Sequence, residues 1–332
     1  MYFNAHIQVT IGNKSLTQIV SAKIKNQAHD IGSECEIVIP LNTRIQYTDG
    51  NHDFLTAYSL SLFNVGDTIT VSASYDNYPT LQLFKGFVVD FVEGTPLTIK
   101  CLDYIYKLRL TTLNLHYTSI SIQQLITNVL KNTGVTLLLP TIQFTLVNIS
   151  FRLMSPAAIL EYLKKEIGLN ITLKGSQLYV NVASNNLTNI FYDTRRNVIE
   201  CKLQKQNTIF HKLKVKAWFV MENGKKDSVE VGDIDGHIVD KFFYKVKRDA
   251  NLYNKLAQEA LNKEKQKRYS GTIKTLLYPD CQLFDTAAYN DYRYPDRSGN
   301  YSIVGVDIDI NDSGYHRTLK LADLDTITKT GL

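Results

Sequence analysis

The sequence predicts a mainly β fold in which two β-barrel-like units flank a small α+β unit, and three observations lead to that expectation. The aromatic residues are 20 Tyr and 14 Phe against one Trp, and Tyr, Phe, Val, Ile and Thr all favour strands. Apolar residues alternate with polar ones over most of 3–110 and again after 191, which is the period of a half-buried strand. Between these stretches the period becomes that of amphipathic helices. Several units suit 332 residues, because a single core stops growing near ~250–300 residues. The expected divisions are 1–112 for the first β unit, 113–190 for the α+β unit, and 191–332 for the second β unit with an inserted helix.

In the first unit, Phe3, Ala5, Ile7, Val9 and Ile11 alternate with polar residues, and Gly12 with Asn13 then signals a hairpin. Residues 19–25 alternate again, and Cys35, Ile37 and Ile39 repeat the pattern before Pro40. Residues 44–58 are polar and turn-rich and read as a long loop. Val65, Gly66 and Asp67 open a strand over 68–75, followed by strands at 81–92 and 97–102 on either side of Gly94, Thr95 and Pro96. About six short antiparallel strands at this spacing suggest a barrel or sandwich.

The middle unit begins where the period changes. Ser121 and Gln124 form a capping box, and Ile122, Leu125, Ile126, Val129 and Leu130 make one apolar stripe with Gly134 as the expected stop. Ser155 as N-cap and Pro156 at the first helical position start a second helix. Its apolar face is Ile159, Leu160, Leu163 and Ile167, and Gly168 ends it. A hairpin around Lys174, Gly175 and Ser176 follows, and the seam from Ser184 to Asn189 closes the unit. In the last unit, Lys212, Lys214 and Lys216 alternate with Leu213, Val215 and Ala217, a strand with one basic face. Asn223 and Gly224 mark a hairpin turn. Asp249 caps a helix that buries Leu252, Leu256, Ala260 and Leu261 and ends in KEKQKR at 263–268, where cations suit the helix dipole. Strands over 271–277, 301–310 and 316–321 complete the chain.

Composition excludes several classes. Hydrophobic residues make up 44% and charged residues 21%, so the chain is not globally disordered. No apolar run approaches the ~18–20 residues of a membrane-spanning helix, the longest being 135–140. The first residues, MYFNAHIQVT, have neither a basic nor an apolar leader pattern, so the expectation is a soluble protein folded in the cytosol. Cys35, Cys101, Cys201 and Cys281 are at least 66 positions apart, without zinc-ligand or dithiol spacing, and read as reduced core thiols.

No residue set carries a recognisable chemistry. A nucleophile elbow and a phosphate-cradling glycine loop are both missing. Asp307, Asp309 and Asn311 resemble the start of a calcium loop, but the sixth and twelfth positions are Asp312 and Thr318 instead of Gly and Glu. They read as an acidic strand face entering a turn, and Asp233 and Asp235 between Gly232 and Gly236 also read as a turn. Asp67, Asp103, Glu161 and Glu166 are the carboxylates that a hydrolase reading would nominate. Neither catalytic nor cofactor-binding nor metal-binding residues are therefore expected. The one marked feature is charge. Residues 195–274 hold 19 Lys+Arg and 10 Asp+Glu, net +9, against −4 for the remainder of a chain whose net charge is +5. The face of Lys212, Lys214 and Lys216 either lines a DNA path, where phosphate attraction needs no base readout, or pairs with acids on a neighbouring strand.

The order of segments resembles the late control D group of phage tail baseplate hub proteins. NVGDTITVSASYD (64–76), LFKGFVVDF (83–91) and PLTIKCLDYIYKLR (96–109) match its first β domain. SISIQQLITNVL and SPAAILEYLKKEIGLNITLKGSQLYV are similar to its middle region, and GTIKTLLYP, YPDRSGNYSIVGVD and GYHRTLKL to its end. The resemblance implies a non-enzymatic virion part, made in the bacterial host cytoplasm. It implies a homotrimer whose β domains build a six-fold-like ring joining a hexameric tail tube to a trimeric spike or tail tip. It also implies other baseplate proteins as partners, and transient DNA passage through the ring. The hub of a contractile injection or secretion system is the alternative of the same fold, a tail-associated cell-wall hydrolase acting through Glu161 or Asp103 is a second, and a general nucleic-acid-binding protein is a third.

Overall fold

The computed structural model describes residues 4–16, 18–47, 55–138, 144–167, 169–180, 188–205, 212–220, 225–244, 249–265 and 269–323. The alternating stretches from the two ends of the chain pair into one hydrogen-bonded sheet of 15 strands. The join is the strand Ser21–Gln27, which lies antiparallel to Gly299–Asn311, from Ala22 opposite Ile310 to Gln27 opposite Gly305. From this join the path runs through the early strands to Leu55–Tyr58 at one end, and through Gly314–Asp323 and Tyr269–Leu276 to Val198–Lys205 at the other. Period-two burial follows the sequence closely: in Ser21–Gln27, Ala22 and Ile24 are buried while Lys23 and Lys25 are exposed. Val9, Ile37, Ile69 and Ile99 from the early strands pack in the same core as Tyr192, Ile273, Ile303 and Leu319 from the late ones.

Residues 44–58 differ from the expected loop. Asn42–Tyr47 and Leu55–Tyr58 are strands that pair antiparallel, from Asn42 opposite Tyr58 to Ile45 opposite Leu55, and residues 48–54 between them lie outside the described residues. The polar composition reflects an end-of-sheet position, where only Thr43 and Ile45 of the first strand are buried.

Four α-helices interrupt the described strands: α1 (Ile105–Arg109), α2 (Ile122–Leu130), α3 (Pro156–Glu166) and α4 (Ala250–Lys265). The caps read from sequence are present. The N–H of Gln124 donates to Ser121 Oγ at 3.2 Å, that of Ala158 to Ser155 Oγ at 3.2 Å, and that of Asn251 to Asp249 Oδ1 at 2.9 Å. α2 stops at Leu130, before the expected Gly134, and the chain turns through left-handed Asn132 and Gly134. Gly168 lies outside the described residues. The stripes of α2 and α3 form a second core over a two-stranded ladder of Leu113–Ser121 and Thr145–Met154. Ala217, Phe219, Leu252, Tyr253 and Leu256 join this core from later in the chain.

The second core is tied to the first β unit by a polar junction. Lys164 on α3 donates from Nζ to the carbonyl oxygens of Ala28 (2.8 Å), Asp30 (2.7 Å) and Ile171 (2.9 Å). The N–H of Leu173 donates to Ile31 O at 2.7 Å. Asp103, buried at the start of α1, accepts from Ser33 N (2.7 Å), Ser33 Oγ (2.8 Å) and Ile105 N (2.9 Å).

Candidate functional site

The basic strand becomes Leu213–Val220, the centre of a separate three-stranded sheet. Lys226–Gly232 pairs antiparallel on one side and His237–Tyr244 parallel on the other. To reach the far side, residues 233–236 pass over the start of the central strand. A Cβ on Gly232 (φ +122°) would sit 2.4 Å from the Leu213 carbonyl oxygen, and one on Gly236 would sit 2.5 Å from the Leu213 carbonyl carbon. Glycine is required at both places. Asp233 serves the crossing as a turn residue, accepting from Leu213 N at 3.1 Å. One face of the sheet is covered by α4, where Phe219 stacks on Tyr253 at 3.7 Å and on Phe243 at 5.1 Å.

The opposite face carries the predicted lysines. Register places Glu230 directly opposite Lys216, and Glu230 receives Lys214 Nζ at 2.8 Å and Lys216 Nζ at 2.9 Å. These two ammonium groups hold the Glu230 carboxyl well below its usual range, at about 2. Lys212 Nζ lies 4.0 Å from Asp235 Oδ2, both exposed. The structure therefore brings Lys214 and Lys216 to an acid of the neighbouring strand and Lys212 to one in the 233–236 crossing. The expected hairpin turn at Asn223 and Gly224 lies outside the described residues, and the antiparallel register of Leu213–Val220 with Lys226–Gly232 is what sets Glu230 across from Lys216. Beside them, Lys216 Nζ is 4.8 Å from the Trp218 ring, Trp218 stacks on Phe242 at 6.3 Å, and Trp218 Nε1 donates to Asp240 at 2.7 Å.

The nominated carboxylates have local structural partners or exposed positions. Asp103 is occupied by three donors, and burial raises its pKa. Asp67 accepts from Asn64 N at 2.9 Å, and Glu161 and Glu166 are exposed on α3. Asp307 lies 3.8 Å from Lys320 Nζ and accepts from Gln27 Nε2, while Asn311 accepts from Ser313 N at 2.8 Å in the turn. Among the described residues, no group of three or more His, Cys, Asp or Glu is placed to hold a metal ion. Cys35, Cys101 and Cys281 are buried free thiols, and burial pushes Cys101 up to about 12.

A second charged surface was not singled out in the sequence. The parallel pairing of Asn189–Asp193 with Thr286–Asn290 sets the turn at 194–197 beside the loop at 291–298. Arg195 stacks on Tyr292 at 3.6 Å and Arg297 on Tyr294 at 4.4 Å. The two loops are about a hundred positions apart in the chain, so no local pattern brings Arg195 to Tyr292.

No family model and no curated protein matches this sequence. Among solved structures, a tail protein from Neisseria meningitidis MC58 is 12% identical with a TM-score of 0.73, covering 99% of each chain. The 43 kDa tail protein of prophage MuSo2 from Shewanella oneidensis is 15% identical with a TM-score of 0.68, covering 98% of each. A component of the Escherichia coli type VI secretion system, described as structurally similar to the T4 bacteriophage tail proteins gp27 and gp5, is 9% identical with a TM-score of 0.53, over 96% of this chain and 76% of that one. Over essentially its whole length, this chain has the fold of phage tail proteins.

Proposed function

We propose that the chain is a structural, non-enzymatic subunit of a phage tail, acting as the baseplate hub. The observation that supports this most directly is the likeness to two tail proteins over 98% or more of every chain involved. In this reading three copies close a ring that joins the tail tube to the spike or tail tip and surrounds the DNA path. A ring removes exposed strand edges, which otherwise invite uncontrolled pairing, and among the described residues the long sheet ends in Leu55–Tyr58 on one side and Val198–Lys205 on the other. Exposed tyrosines such as Tyr78 and Tyr244 suit subunit contacts. The boundaries 1–112, 113–190 and 191–332 are the proposed division of labour, with the outer two building the ring.

Electron microscopy of purified particles tests the assignment. The expected result is density for three copies of this chain at the tail tip, between tube and spike. Its absence from purified tails, or six copies in the tube wall, overturns it. The similarity to a type VI secretion component over 96% of this chain favours one second reading, an injection-system hub. Flanking capsid and portal genes select the phage, whereas effectors and an assembly ATPase without capsid genes select the injection system.

A further inference from the structure

We propose that the paired loops at 194–197 and 291–298 form a phosphate-contacting surface for duplex DNA, through Arg195, Arg196, Arg293 and Arg297. This rests on the reading of the chain as part of a DNA-conducting tail, and it assigns the polyanion contact to a different place from the lysine strand.

The loops are built as rigid supports. Asp193, buried, accepts from Arg195 N at 2.7 Å and from Asn290 Nδ2 at 2.9 Å, which locks the two loops together. Asp291, also buried, accepts from Arg293 N (3.0 Å), Tyr294 N (2.9 Å) and Tyr289 OH (3.1 Å), and its own N–H donates to Ser298 Oγ at 2.8 Å. Both acids are thus turned inward onto neighbouring donors, while Arg195, Arg196 and Arg293 are exposed and Arg297 is half-buried. The acid left at the surface of the loops is Asp296, and Glu200 nearby is held by Lys202 at 2.7 Å. The hydrogen bonds to Asp193, from Asn290 first, lower its pKa, and Arg196 and Arg195 add to this by attraction, but no salt bridge to any of the four guanidinium groups is present among the described residues. Lys214 and Lys216, by contrast, share Glu230.

The chemistry of the cluster suits phosphate. A guanidinium stacked on a ring uses its face for the cation–π contact and keeps its edge N–H groups for a second partner. Those edge donors match phosphate oxygens in a two-point geometry that an ammonium lacks. Tyr292 and Tyr294 are 60% and 52% exposed, so the platforms stand out from the surface instead of filling a core. Nothing in the loops reads bases, and the contact is to the backbone irrespective of sequence, as a conduit for a whole genome requires.

Fluorescence anisotropy with a labelled random-sequence duplex tests the assignment in the full chain. The wild-type protein is compared with the quadruple variant Arg195→Gln/Arg196→Gln/Arg293→Gln/Arg297→Gln and the triple variant Lys212→Gln/Lys214→Gln/Lys216→Gln, all verified as folded by circular dichroism. At about 50 mM salt the quadruple variant is expected to bind roughly tenfold or more weakly, and its log K against log salt slope to flatten by about 3.6, at about 0.9 for each of the four lost phosphate contacts. The triple variant is expected to bind like the wild type. Equal binding by the quadruple variant, equal loss in the triple variant, or no wild-type binding overturns the assignment. So does displacement by polyglutamate as effective as by unlabelled duplex, which would make this an acidic-protein docking face. Each negative result leaves the tail-hub reading standing, because copy number and position in the particle decide that separately.

Discussion

Lys164 illustrates how single residues bind the units together. Its ammonium donates to three carbonyl oxygens, two from the 28–30 loop and one from the 171 strand. Lys164→Met keeps the length of the stem but leaves those acceptors without a cation. It is expected to destabilise the chain by about 2–3 kcal/mol, the scale of a hydrogen bond to a charged group, read as a lower urea midpoint at unchanged slope. Glu230 gives a pH signature. Its carboxyl is lowered from the usual 4.5 to about 2 by Lys214 and Lys216. The stabilisation it contributes is complete above its unfolded value and is lost as the pH falls through about 2. Thermal unfolding from pH 5 down to 2 should therefore fall less steeply in Glu230→Gln than in the wild type, and identical slopes would remove the pairing. Asp103 has the opposite sign: burial raises its pKa, so acid relieves part of its desolvation cost and it does not add to acid unfolding.

Among the elements, the crossing at 233–236 sets the sharpest constraint. A Cβ on Gly232 or Gly236 would press within 2.5 Å of the backbone at Leu213, and backbone there has no rotamer to retreat to. Gly232→Ala and Gly236→Ala should each cost about 2–4 kcal/mol, with the change seen in the fluorescence of Trp218, the only tryptophan, on the same sheet. Gly12→Ala is the control. It meets nothing within 4 Å at φ +58° and should cost only about 1 kcal/mol of backbone preference. What was legible in the sequence divides along the same physical line. α2, α3 and α4 announce themselves because a capping side chain stands immediately before an apolar stripe, and both features are local. Asn42–Tyr47 was hidden because this strand near the end of the sheet buries only Thr43 and Ile45. Leu113–Ser121 was hidden for a similar reason, since in this nine-residue strand Ile120 is buried while its other residues are half-buried or exposed. The lysine face was legible, but its acid partner Glu230 follows from the register of the neighbouring strand. The arginine loops depend on parallel pairing between strands about a hundred positions apart, which no local pattern encodes.

At the level of the molecule, one sheet and one core are shared by the two ends of the chain. Ile308, opposite Ile24 at the join, is buried on that shared core. Ile308→Ala should cost about 2–5 kcal/mol. Because the core is continuous, hydrogen exchange should rise together in Ser21–Gln27 and Gly299–Asn311, and deprotection of one without the other would show that the halves unfold independently.

The same join imposes an order on synthesis. Ala22 and Ile310 pair across 310 − 22 = 288 positions, so the ribosome must deliver nearly the whole chain before Ser21–Gln27 acquires its second neighbour. Contacts of such sequence separation form slowly, and for most of translation one edge of an otherwise complete early sheet stays open. Nascent chains stalled before residue 299 should thus be the species that holdase chaperones capture, and their release should coincide with emergence of the Gly299–Asn311 strand.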